Sequence, residues 1–354
     1  MPTETLKAGG TYTSWNDMVD GFALKFPLAD HVIINVTGTF TVGNALGVLD
    51  GNWKGKSLTI QTDAAAGSPA ILESSGRLDT NRCHTEDTGI IYIKKLIQKC
   101  AYYGFRVYDR LLLQVEDCDL FFARGFEEPT LFIGEANSGA TGIVYKNCSI
   151  FGTMAGANTG TSRLHFAYNV DSKAAVHNCV VCTWKDSGTG VPTIYGDVGS
   201  NNTVYNYGGN AGKPFTVPGG WTGTLKLDPI FVNNIIQSLT DSVATMSGRD
   251  RNPTLSSAAI LDNCDLAKVT TSDILYRTRI QHGHGPDRGA YEYQWPALCW
   301  NYRARYKNSN RLYTTRGSGP FPRELKVPSN VDVSSGCMMD KGQLINPDQF
   351  KVKS

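Results

Sequence analysis

Cleaving or gripping a polysaccharide takes one of a few residue sets. Two carboxylates held at a fixed separation can act as proton donor and as base or nucleophile, and a Lys or Arg base can work beside Ca²⁺-binding acids. The 354-residue chain has few acids so placed. Asp117 and Asp119 flank Cys118, and Asp262 and Asp265 flank a similar turn at Asn263-Cys264. Glu127-Glu128-Pro129 sits in a Gly-rich connection. The best-furnished setting is a Gly/Thr-rich loop in which Trp184 and Tyr195 accompany Asp186 and Asp197. There, ring faces can pack on sugars while the acids bind hydroxyls. His282-Gly283-His284 offers a metal edge with no third ligand indicated, and Cys179 and Cys182 form a CxxC without the helix that lowers a thiol pKa. No nucleotide or nucleophile-elbow motif is present. No catalytic residue, metal or cofactor is therefore assigned, and Trp184, Asp186, Tyr195 and Asp197 stand as a candidate carbohydrate site.

The elements that must position these residues are short. Ser14 can cap a helix whose Trp15, Met18, Val19 and Phe22 share one face. After Pro27 the chain turns to β-branched runs separated by Gly, Asn, Asp and Ser, starting near residues 31, 57, 89, 111, 142, 174 and 203, with a later run at Ala258–Leu261. Most successive starts lie roughly 22 to 32 residues apart, a repeat period and not the spacing of a sandwich. Four copies of apolar-x-Asx-Cys-x-apolar recur, centred on Asp117-Cys118, Asn147-Cys148, Asn178-Cys179 and Asn263-Cys264. Asx tolerates the left-handed conformation that turns a strand sharply, and Cys serves as a small apolar residue pointing inward. Stacked, these corners form a ladder. The predicted fold is all-β: a right-handed single-stranded parallel β-helix with a short N-terminal capping helix, against the alternative of unrelated strand-turn pieces in a sandwich.

Composition narrows the function classes. Lys+Arg 34 against Asp+Glu 32 gives +2, which argues against a general nucleic-acid coat. No run approaches the ~20 apolar residues of a membrane span. The start carries no basic region followed by an apolar run, so no secretory signal is expected. The nine Cys lack zinc spacing and read as buried thiols of a reducing compartment. Residues 296–354 carry ten Lys/Arg against four Asp/Glu, +6, which leaves −4 on the remainder. With Pro296, Pro320, Pro322, Pro328 and Pro347 and several aromatics, this segment is expected as an extended arm. Trp300, Arg303, Arg305, Tyr306, Arg311, Tyr313 and Arg316 are its candidate docking residues for an acidic neighbour. Folding back on its own body is the alternative, and nucleic-acid binding is not favoured.

The Asx-Cys repeats, the Leu227–Val232 stretch, the closing Asp287-Arg288-Gly289-Ala290-Tyr291-Glu292-Tyr293 and the opening Gly9-Gly10-Thr11-Tyr12-Thr13-Ser14-Trp15 together resemble the pectate-lyase-like β-helix superfamily. The closing motif looks like the terminal segment of bacterial and phage members. The resemblance implies a lead-in segment and capping helix over 1–26, a parallel β-helix over 27–295 and the basic arm over 296–354. It further implies a tailed-bacteriophage virion protein, a homotrimer by analogy. Such a protein would decorate the head beside the major capsid protein or sit in the tail with a tail protein. A tailspike-like binder or depolymerase of host glycan is the alternative.

Overall fold

The computed structural model describes residues 2–42, 53–74, 78–79, 88–100, 103–107, 110–122, 130–137, 139–153, 163–184, 193–206, 215–230, 252–254, 257–279, 285–293, 299–309, 311–318, 324–340, 343–344 and 351–353. The chain divides into two compact units, Met1–Arg279 with Gly285–Tyr293, and Gln294–Ser354 with Ile280–His284.

The first unit is mostly β with parallel sheets. Helix Trp15–Ala23 forms where its apolar spacing predicts, with the Ser14 hydroxyl accepting from the Asp17 N–H and Trp15, Met18, Val19 and Phe22 buried. Three parallel sheets of nine, seven and five strands follow. From Ser57 onward the chain visits them in rotation, first, second, third and back to the first, and each strand pairs with its counterpart one circuit away. In the first sheet, Ser57–Thr62, Gly89–Lys94, Leu111–Glu116, Gly142–Lys146, Ala174–His177 and Val198–Ser200 lie side by side. The sequence reading misses the outermost strand, Thr3–Leu6, which pairs with Val32–Val36 ahead of the repeats.

Alternating burial in Val32–Val36 and Gly89–Lys94 turns one face of the first sheet inward. Inward residues of all three sheets share one core that includes Ile91, Leu113, Tyr145, Phe166 and Val181. The middle of the second sheet is buried on both faces, so Asp119–Phe122 shows no alternation. Its outer residues Ile97, Phe121, Phe151, Val180 and Cys182 pack against Ile260, Ile274, Ala290 and Tyr291.

Two expectations are corrected. Ala258–Leu261 is a run of turns and not a strand. It belongs to residues 257–279 and 285–293, which lie along the outside of the second sheet as a strap. The expected extended arm is a folded sheet in the second unit: Leu312–Ser318, Cys299–Tyr306, Val331–Asp340 and Gln343–Leu344 are four antiparallel strands in that order. Tyr302, Ala304, Leu325, Val327 and Val331 make its core. Strand alternation in Tyr302-Arg303-Ala304-Arg305 supplies the apolar face that an arm lacks.

Candidate functional site

Five successive corners from the first sheet to the second are each made by one left-handed residue. Lys95 (φ 56°), Asp117 (φ 53°), Asn147 (φ 49°), Asn178 (φ 55°) and Asn201 (φ 49°) stand in register. Their N–H groups donate from corner to corner along the stack, as from Asn147 to the His177 carbonyl at 3.0 Å. The next residue turns inward. The Cys118, Cys148 and Cys179 thiols each donate to the carbonyl two residues back at 3.2–3.3 Å, a second bond on an oxygen that already accepts the N–H of the preceding corner. Asn202 takes the place of cysteine at the next corner, accepting from the Cys179 N–H at 2.9 Å. Burial pushes the Cys118 and Cys148 thiols well above the ordinary range.

Asn263-Cys264, expected as the fourth rung, is instead on the strap, and the left-handed residue there is Asp262. The rungs missed are Lys95 and Asn201, neither of which is followed by Cys. Cys179 lies in the inner core and Cys182 in the outer cluster, so the CxxC pair points to opposite faces of the sheet. His177, beside the Asn178 corner, is 9% exposed, with Nδ1 2.8 Å from Ser200 Oγ, which in turn donates to the Asp265 carboxylate.

The strap meets the corners one after another. Asn201 donates to the Asn263 carbonyl at 3.1 Å, and the Asn178 side chain exchanges two bonds with the Asp265 backbone. The Asn147 side chain accepts from the Thr270 N–H at 3.2 Å, and Asp117 accepts from the Thr270 hydroxyl. Lys95 donates to the Ser272 and Asp273 carbonyls at 2.7 and 2.6 Å, and the Tyr276 hydroxyl donates to the Thr62 carbonyl.

At the centre is a buried ionic clasp. Arg279, 1% exposed, lies 2.7 Å from Asp117 Oδ1 and 3.3 Å from Glu292 Oε2, and donates to the carbonyls of Asp287 and Gly289. Lys95 reaches the other Asp117 oxygen at 3.1 Å. Arg288 donates to the carbonyls of Asn202, Gly223 and Asn263. Tyr291 donates to Asp119 at 3.0 Å. Burial, reinforced by the nearby Asp287 and Asp273 carboxylates, pushes Glu292 up to about 9. Burial pushes Asp287 up to about 6, against two backbone N–H donors that favour its charged form. The closing Asp-Arg-Gly-Ala-Tyr-Glu-Tyr motif thus serves as a fastening, and both flanking acids of Cys118 are engaged in it.

Of the proposed carbohydrate residues, Tyr195 lies in the third sheet. Tyr195 stacks on His165 with centroids 4.3 Å apart, and Asp171 Oδ1 is 3.0 Å from His165 Nδ1. The neighbours Leu164 and Ile194 enter the core, which turns His165 and Tyr195 to the outer face. Phe132 and Tyr103 occupy the same register row on the adjoining strands. The sequence reading missed His165 and Asp171, which come together only through strand pairing. Asp197 is exposed at the next corner. Trp184 ends strand Val180–Trp184, while Asp186, Glu127, Glu128, His282 and His284 lie outside the described residues.

In the second unit Arg305 and Arg311 are exposed, and among the described residues neither has an ion-pair partner. Tyr306 and Tyr313 meet edge to face at 5.9 Å. Trp300, Arg303 and Arg316 hold strand positions, with Arg303 opposite Thr314 and Arg316 opposite Asn301. Among the described residues no three His, Cys, Asp or Glu side chains are grouped to hold a metal, and no helix is long and apolar enough to cross a membrane. Compared with family models, curated proteins and solved structures, the chain matches none.

Proposed function

We propose that the first unit is a right-handed parallel β-helix of the pectate-lyase-like kind, and that the protein is a non-enzymatic structural component of a tailed-bacteriophage virion. It decorates the head surface as a homotrimer and attaches to the major capsid protein or a tail protein through the basic second unit or a side face. The strap carries this reading. Buried charges that an enzyme would direct at a substrate here fasten one segment across successive circuits, an arrangement suited to mechanical persistence outside a cell. The exposed, unpaired Arg305 and Arg311 fit an acidic docking partner. Quantitative mass spectrometry of purified particles tests it. Hundreds of copies per particle are expected, a few to a few dozen would move the protein to the tail, and its absence from particles would overturn the proposal.

One observation favours a second reading, that of a tailspike-like glycan binder: the His165–Tyr195 stack beside Asp171. Under that reading Tyr195→Ala weakens binding of host-surface polysaccharide about tenfold, the equivalent of one lost ring contact. Calorimetry showing no polysaccharide binding by the parent protein removes it.

A further inference from the structure

We propose that the strap, residues 257–279 and 285–293, is a releasable clasp that closes last and can lift as one unit from sheets that stay intact.

Three observations lead there. The bonds that hold the strap join residues far apart in the chain: Thr62 with Tyr276, Lys95 with Asp273, Asp117 with Arg279 and Asn178 with Asp265. Acceptors and donors drawn from so many circuits come into line only once those circuits are stacked, so the strap has no site to dock on beforehand. Second, the described part of the strap contributes no strand to the three sheets. Its backbone bridge, Ser272 with Thr278, is internal. Lifting it breaks side-chain bonds, the backbone bond from the Gly289 N–H to the Asn178 carbonyl and an outer apolar contact, while every sheet ladder and the inner core remain. Third, closing the strap buries Asp273, Asp287 and Glu292 together beside Arg279, and desolvating those groups offsets much of what the clasp gains. A segment joined on such terms opens below the cost of global unfolding.

The cysteines report this directly. Cys182 lies in the outer apolar cluster that the second sheet shares with Ile260, Ile274, Ala290 and Tyr291, whereas Cys118, Cys148 and Cys179 lie in the inner core. All four are buried, so alkylation reads opening of whatever covers each thiol. In the full chain, pulsed alkylation with iodoacetamide, resolved by peptide mass spectrometry, should modify Cys182 at least about tenfold faster than the three inner thiols. Arg288→Met removes the bonds from the strap to the Asn202 and Gly223 carbonyls. It should accelerate Cys182 by about tenfold more and leave the inner three unchanged. Should that variant not fold, Thr270→Val, which deletes the hydroxyl bonded to Asp117, is expected to act in the same direction. Alkylation of all four at one rate, or a variant that accelerates all four equally, overturns the proposal, because the strap would then open only with the whole unit.

Discussion

Asp117→Asn should lower the unfolding free energy of the first unit by about 3–5 kcal/mol, the usual loss when one partner is removed from a buried charge network. The substitution is nearly isosteric, and the corner itself accepts it. Asn147 and Asn178 hold the same left-handed conformation at the equivalent positions, so backbone strain contributes nothing. What changes is charge. Asp117 faces Lys95 at 3.1 Å and Arg279 at 2.7 Å, and both cations are buried. Without the carboxylate they confront each other across a neutral amide. Urea unfolding followed by fluorescence of the buried Trp15, Trp53 and Trp221 measures the loss. Combining Asp117→Asn with Arg279→Met should cost less than the two single losses together, because the second change removes one of the orphaned cations. Strict additivity would show that the two residues are not coupled, contrary to their geometry.

The corners were legible in the sequence because a left-handed turn restricts residue type and Asx-Cys repeats at a fixed spacing. The same rule misled at Asn263-Cys264, where the tetrad recurs on the strap, and it passed over Lys95. A lysine takes a positive φ there because its ammonium gains two strap carbonyls and Asp117, contacts that no local pattern encodes. The closing Asp287–Tyr293 motif was visible as a motif, yet its role was not. Arg279, Asp117 and Glu292 are brought together by a chain reversal that joins Asp117 to a residue 162 positions further on. The second unit failed differently. Its prolines and charge suggested an arm, although Tyr302, Ala304 and Tyr306 alternate with Arg303 and Arg305 in the two-residue period of a half-buried strand. Periodicity, more than charge, decides whether a segment folds. On the third sheet, His165 and Tyr195 are 30 positions apart and meet because each falls at the same place in its circuit.

Stability of the first unit should fall as pH rises from about 5 to about 9, and Glu292→Gln should remove most of that slope. The sign follows from which state holds the proton. Unfolded, Glu292 ionises in the ordinary carboxylate range. Folded, it keeps its proton up to about 9 because burial and the Asp287 and Asp273 carboxylates oppose a further negative charge. Between those values the folded chain holds a proton that the unfolded chain has released, so each step up in pH favours unfolding. The contribution is complete below the unfolded value and gone above the folded one. Asp287, raised to about 6, adds the same trend over a narrower range at the acid end. Arg279 does not reverse it, since the guanidinium lies closer to Asp117, at 2.7 Å, than to Glu292, at 3.3 Å, and Asp117 already answers its charge. His177 works the other way: burial and the nearby Lys268 hold its pKa down, so it withdraws stability as pH falls below the usual imidazole range. Glutamine at 292 keeps the shape of the protonated acid and its carbonyl oxygen. Glu292→Gln should therefore match the wild type near pH 5 and exceed it at pH 8 by a few kcal/mol, on the order of 1.4 kcal/mol per pH unit crossed. Urea midpoints collected from pH 5 to 9 read both curves. Parallel curves for the two proteins would mean that Glu292 is ionised in the folded state and that the clasp is a fully charged network.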